Sequence, residues 1–341
     1  MAKKGVILMN LGSPSSTKVS DVRRYLRKFL MDGRVLDLPF VGRFLLVNCI
    51  IAPFRAPKSA EAYRSIWTKD GSPLIVLTRE LQNAVQAIIP ESVEIAMRYG
   101  QPHPKVAYDN LLHNNPDLEE VILFPLYPHY AMSSYETAVE YMVKVYKEQG
   151  YRFRLSNVPA YYQHPDYVHA LAESIRPHLE KPYDKILFSY HGVPERHIYK
   201  GHAQFGSALP YGTLCDDQCD VIDHCYRAQV RRTTRLVVDA LGIPDGKWEQ
   251  AFQSRLGRDP WLQPYTAERL EKLPGEGVKK LLVVSPAFVS DCLETLEEIG
   301  IQGKETFLHA GGESFDAIPC LNTDKLWVEA IARIKETGEL I

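Results

Sequence analysis

A chain of 341 residues with 45% hydrophobic content can bury two domain cores or one large double one, and its formal charge of −2 offers nucleic acid no global attraction. No block of Lys and Arg interleaved with aromatics stands out, so no nucleic-acid partner is expected. The six cysteines are too few and too unevenly placed for a disulfide framework, which leads to the expectation of a soluble protein in a reducing cytoplasm.

The apolar run after Lys3 and Lys4 is about six residues, shorter than the core of a signal peptide, and lacks a small-residue cleavage site. It reads as a first buried strand, Gly5 to Leu11. A helical pattern over Ser20 to Met31 follows. The most apolar stretch, Phe40 to Phe54, is broken by Arg43 and Asn48 and is shorter than the roughly 20 residues that span a bilayer. Followed by Arg55, Lys58 and Arg64, it fits a membrane-surface segment or the oily lip of a pocket as well as it fits a buried helix.

From there β-rich runs alternate with helical ones. Strands are predicted at Val93 to Tyr99, Glu120 to Pro125, Tyr151 to Asn157, Lys185 to Tyr190, Lys247 to Gln253, Lys279 to Ser285 and Glu305 to His309. Helices are predicted at Leu77 to Ile89, Ser134 to Glu148, Tyr167 to Leu179, Val230 to Leu241, Leu293 to Ile299 and Lys325 to Lys335. This alternation means an α/β fold with a mainly parallel sheet in each half.

The halves also resemble one another. Val121 to Pro128 leads through a loop to Ser134-Tyr-Glu-Thr, and Leu281 to Phe288 leads to Cys292-Leu-Glu-Thr. The repeated order of strand, proline, loop and Glu-Thr helix start predicts two similar units facing each other across a cleft. The boundary is expected near Pro159 to Pro165, giving domains 1–160, with the lip segment 36–70, and 161–341, with a cysteine insert at 201–226.

Two motifs carry chemistry. His191 ends the run Ile186 to Tyr190 and precedes Gly192, at the carboxyl end of a strand, where open α/β sheets bind ligands. Asp291, Glu294 and Glu298, at i, i+3 and i+7, share one stripe of an α-helix. Crowded carboxylates raise one another's proton affinity unless a cation intervenes, which suits proton acceptance or metal binding; a solvated helix face explains the same spacing. His197 and His202 match no compact metal motif and read as loop residues.

Gly12-Ser-Pro-Ser and Gly71-Ser-Pro-Leu fit neither a Walker loop nor a dinucleotide fingerprint, so no nucleotide is expected. Aromatics near loops (Tyr63, Trp67, Tyr99, Tyr127, Tyr130, Phe252, Trp261 and Phe288) suit a large flat ligand, or core packing. Cys215, Cys219 and Cys225 form C-x3-C-x5-C, a spacing able to hold zinc or an iron–sulfur cluster but short of a fourth cysteine; a loop of reduced thiols is the alternative.

Taken in order, the segments Asn10-Leu-Gly-Ser-Pro, Val22 to Asp32, Gly71-Ser-Pro-Leu, Met97-Arg-Tyr-Gly, Pro125-Leu-Tyr-Pro-His-Tyr-Ala, Phe188 to Pro194, Phe252 to Leu262 and Ser290 to Glu298 resemble the ferrochelatase family. The resemblance implies two Rossmann-like domains with a porphyrin cleft. It also implies insertion of Fe(II), as substrate, into protoporphyrin IX with release of two protons, completing haem biosynthesis. It places His191 and Glu294 as the catalytic pair and iron ligands, and Asp291 and Glu298 as a supporting acidic face. Tyr63, Ser72, Arg98, Tyr99 and Trp261 fall at porphyrin-binding positions. In some bacterial relatives a cysteine-rich insert binds a [2Fe–2S] cluster, which makes Cys215, Cys219 and Cys225 candidate cluster ligands. Peripheral membrane contact fits the Phe40 to Phe54 stretch, and the oligomeric state is open. The competing readings are a chelatase for coproporphyrin or another tetrapyrrole with Co or Ni, and a haem or metal carrier without catalysis.

Overall fold

The computed structural model describes residues 3–215, 218–257 and 259–341. Asp216 and Asp217 of the insert, and Arg258 of the Phe252 to Leu262 motif, lie outside the described residues. Among those described, the strands in chain order are β1 (Lys4–Asn10), β2 (Ser92–Met97), β3 (Glu120–Pro125), β4 (Arg154–Asn157), β5 (Lys185–His191), β6 (Trp248–Gln253), β7 (Lys280–Val284), β8 (Ser314–Ala317) and β9 (Glu339–Leu340). They form one sheet in the order β2-β1-β3-β4-β9 and another in the order β6-β5-β7-β8. Apart from β9, antiparallel to β4, all pairings are parallel. The α/β class with two mainly parallel sheets is therefore as the sequence implies.

The chain divides into two compact units. One comprises Met1–Tyr127, Met132–Pro159 and Ile331–Ile341; the other comprises Pro128–Ala131 and Ala160–Ala330. The final segment thus groups with the first sheet, whereas the sequence reading kept it with the second half. Lys335, buried in the first unit, fixes this return by a 2.8 Å ion pair to Glu91.

Both sheets have the same logic. Strands covered on two faces need apolar residues at every position, and β3 is buried from Glu120 to Pro125. In the second sheet β5 is central: it pairs with β6 on one side and β7 on the other, so the chain crosses over it between those strands. That crossover makes the carboxyl ends of β5 and β7 a topological switch point, where α/β sheets hold their ligands.

One predicted strand fails, and one open alternative is decided. Glu305 to His309 is helical, within Lys304–His309, and the fourth strand of the second sheet is Ser314–Ala317 instead. The helix predicted over Leu293 to Ile299 runs on through Gly300 and Gly303. The Phe40 to Phe54 stretch belongs to one helix over Phe40–Ile66, the only one among the described residues long and apolar enough to cross a membrane. It is not a buried helix: Phe40, Val41 and Phe54 are 64%, 68% and 79% exposed.

Candidate active site

The switch point of the second sheet carries the motifs. His191 is the last residue of β5, half-buried, with its backbone carbonyl accepting a hydrogen bond from the Tyr226 hydroxyl at 2.8 Å. Its Nδ1 lies 2.6 Å from the Gly192 carbonyl, an oxygen that can only accept. In the neutral ring the proton therefore sits on Nδ1, and the Nε2 lone pair is left as acceptor or metal ligand. The Trp261 and Phe288 rings flank the imidazole at centroid distances of 6.5 and 6.3 Å.

The acidic helix after β7 is a π-helix, Glu294–Gly303, with a wider turn than the α-helix the spacing predicts. Its glycines explain how it is tolerated. A Cβ on Gly300 would lie 3.3 Å from the Thr295 carbonyl, and one on Gly303 3.3 Å from the Glu298 carbonyl, each five residues back. Hydrogen bonds from i to i+5 stack residues four and five apart, which puts Glu294 and Glu298 on one stripe.

Asp291 does not join them. It precedes the helix, is buried, and is consumed by neighbours: Oδ1 accepts from the Thr295 hydroxyl at 2.8 Å and Oδ2 from the Asn322 amide at 2.7 Å. The expected single stripe of three carboxylates is thus two carboxylates plus an anchor that fixes the helix entry. The cavity behind this entry, about 160 Å³ and lined by Asp291, Thr295 and Ile299, is small beside ordinary ligand pockets.

Glu298 is held by Ser254, which follows β6. The Ser254 amide donates to Oε1 at 2.9 Å and its hydroxyl to Oε2 at 2.5 Å. Ser254 adopts φ +67 to present both donors, a conformation that costs a non-glycine residue on the order of 1 kcal/mol. Burial pushes the Glu298 carboxyl above its ordinary range; the Ser254 bonds and the His191 imidazole oppose this, and the Glu294 charge adds to it. The imidazole and the Glu294 carboxylate therefore both act on the Glu298 carboxyl. Among the described residues no Lys or Arg pairs with Glu294 or Glu298. A relay of side chains fixes the spacing: Ser189 donates to Gln253 at 2.8 Å, and Gln253 to the Glu294 carbonyl at 3.3 Å.

The ferrochelatase family model matches residues 3–338. A ferrochelatase of Pseudomonas syringae pv. tomato is 46% identical over 349 residues, covering 100% of both chains. Another, from Pseudomonas putida strain F1, is 47% identical over 342 residues, covering 98% of this chain and 99% of its own. The chain belongs to the ferrochelatase family. Among solved structures, SirB from Bacillus subtilis with Fe3+ is similar at TM-score 0.53 and 12% identity, over 98% of this chain and 95% of its own. The sirohydrochlorin chelatase SirB from B. subtilis subspecies spizizenii in complex with cobalt gives 0.54 at 10% identity, with the same coverage. These two likenesses bear on the fold alone. Membership makes the protein an enzyme of the metal-inserting, chelatase type.

The other positions marked by the ferrochelatase resemblance behave unequally. Trp261 is buried beside His191. In the first unit, Tyr63 packs edge-on to Trp67, and Ser72 is buried at the start of the helix Pro73–Gln86. Arg98 and Tyr99 are bound to Asp32, a residue the sequence reading did not single out. The Tyr99 hydroxyl donates to Asp32 Oδ2 at 2.7 Å, and the Arg98 guanidinium pairs with the same oxygen while lying 4.4 Å from the Tyr99 and Tyr141 ring centroids. Tyr99 is 2% exposed.

Sequence spacing also misplaced His202. It lies on the helix Glu195–Gln204, is buried, and joins Cys215, Cys219 and Cys225 in a group whose donor atoms are all within 4.8 Å of one another. The candidate fourth donor, where a fourth cysteine is lacking, is an imidazole on the helix Glu195–Gln204. Cys292, by contrast, is isolated from that group, and burial pushes its thiol well up.

Proposed function

We propose that this ferrochelatase inserts Fe(II) into protoporphyrin IX to give protohaem, releasing two protons, as the last step of haem biosynthesis and as a lyase by reaction class. The observation that supports it best is an accepting imidazole nitrogen at the switch point between β5 and β7 that acts, with the Glu294 charge, on the Glu298 carboxyl, neither carboxylate having a basic partner among the described residues. Metal insertion exchanges two pyrrole protons for one dication. A site suited to it needs bases for the protons and negative charge for the incoming metal. His191 Nε2 and Glu294 supply these as proton acceptors and iron ligands. Glu298 favours a bound proton and gives the next place for one to go. Asp291 supports them from behind by fixing the helix entry.

A planar porphyrin shields its nitrogens, so catalysis requires the ring to be held bent, closer to the transition state than to its relaxed form. Trp261, beside His191, is assigned to the macrocycle, as are Tyr63 and Ser72. Arg98 and Tyr99, being bound to Asp32, position the segment around them. The exposed face of Phe40, Val41 and Phe54, followed by Arg55, Lys58 and Arg64, is proposed to rest peripherally on an anionic lipid surface in the cytoplasm.

Anaerobic incubation with protoporphyrin, coproporphyrin or sirohydrochlorin, each with Fe(II) and with Co(II), tests the assignment by absorption. The expected result is multiple turnovers, fastest with Fe(II) and protoporphyrin. Preference for another tetrapyrrole would transfer the assignment to it, and formation of no more than one equivalent of product would identify a carrier.

A further inference from the structure

We propose that His202, Cys215, Cys219 and Cys225 form a closed, four-coordinate site for one zinc-class divalent ion that clamps the insert onto the segments adjoining His191. The Cys215 and Cys225 Sγ atoms lie 2.9 Å apart, Cys219 Sγ lies 3.6 Å from His202 Nε2, and all four residues are buried. A tetrahedral ion with metal–sulfur bonds of about 2.3 Å and metal–nitrogen bonds of about 2.0 Å sets donor–donor separations of roughly 3.5–3.8 Å, which the Cys219–His202 pair already has and which the Cys215–Cys225 pair, at 2.9 Å, reaches by opening around the ion. Four donors within 4.8 Å of one another surround a single ion of that kind.

They do not fit the [2Fe–2S] cluster that the insert resembles. In such a cluster the donors on one iron stand off from those on the other by the added iron–iron span, so some pairs must lie well beyond a single-ion separation. Three thiolates with one imidazole are the donor set of a structural zinc site, and four protein ligands leave no open position for catalysis.

The backbone around the donors is closely packed. Gly201 lies so near the His224 carbonyl that a Cβ would be 3.2 Å from it, and Phe205 stacks on His224 at 3.5 Å between centroids. Cys225 is followed directly by Tyr226, whose hydroxyl holds the His191 carbonyl, and the helix carrying His202 begins at Glu195, just past His191. The ion therefore steadies His191 from both chain directions.

Metal analysis of the full chain, purified without chelators, tests the proposal. The expected content is about one zinc per chain, with no visible absorption and no acid-labile sulfide. His202→Ala and Cys219→Ser should lower it to below about a tenth of an equivalent, and His191→Ala should leave it unchanged, which separates this site from the iron-insertion site. Should those variants fail to fold, Co(II) added to reduced, chelator-treated wild type must still produce the visible bands of a tetrahedral thiolate site. Two irons with two sulfides per chain, a Cys215–Cys225 disulfide found by mass mapping, or no Co(II) bands in the reduced wild type would each overturn the proposal.

Discussion

After β3 and after β7 the chain makes the same local move: a π-helical turn, Met132–Glu136 in the first unit and Glu294–Gly303 in the second, with a Glu-Thr pair at its edge. In the first unit Arg34 takes Glu136 at 3.4 Å, and Thr137 donates to Asp32. In the second, Glu294 has no such partner among the described residues and acts, with His191, on Glu298. A carboxylate at a strand-end helix is an anchor where an arginine answers it and a reactive group where none does. Similar motifs therefore do not imply similar duties; the partner decides.

The largest effect should come from the unanswered side. His191→Ala is expected to lower kcat for haem formation by about 10²–10⁴-fold with porphyrin affinity retained, whereas Glu136→Gln should leave kcat near wild type. Equal losses in steady-state assays of the two variants would erase the contrast.

Next comes the anchor itself. Asp32→Ala strands the Arg98 guanidinium, whose side chain is 18% exposed, and should cost the first unit about 3 kcal/mol in urea unfolding. A loss of activity without a loss of stability would instead make Asp32 part of the chemistry.

The smallest effect is a difference in acid response. Burial pushes His129 down to about 3, so the folded second unit refuses a proton that the unfolded chain accepts at ordinary histidine values. Its contribution is fully present above about pH 6.5 and is lost below, at on the order of 1.4 kcal/mol per pH unit. Asp32 behaves otherwise. Burial would raise its carboxyl, but the Thr137 and Tyr99 hydroxyls, the Arg34 amide and the Arg98 guanidinium outweigh burial and hold it below the usual range. Its contribution is present above about pH 3.9 and is lost as pH falls through the folded value. Hydrogen exchange between pH 7 and about pH 4 should therefore show β5 and β7 loosening before β1 and β3, and His129→Gln should remove the lead. Simultaneous loosening would contradict both assignments.

The strands were legible because buried parallel strands are apolar at every position, as in Val121 to Phe124, and because proline or glycine closes them. Tyr190 to Gly192 placed His191 at a strand end for the same reason. The helix after β7 was less legible. The predicted helix ends at Ile299, whereas Gly300 and Gly303 accommodate the wider turn and carry it on, so Glu305 to His309 is helix and not strand. Regular spacing put Asp291 on the reactive stripe, while its actual partners, Thr295 and Asn322, fix it behind. Asp32 is hidden because its partners Arg98 and Thr137 are distant in sequence and only the fold unites them, and His202 because its spacing to Cys215, Cys219 and Cys225 matches no compact metal motif.

The most direct measurement of the central claim is single-turnover haem formation by Glu294→Gln, run anaerobically with Fe(II) beside a fluorescence titration with protoporphyrin. Porphyrin binding is expected within about twofold of wild type, with haem formation slower by at least about a hundredfold. Haem formation at the wild-type rate with the carboxylate gone would contradict it.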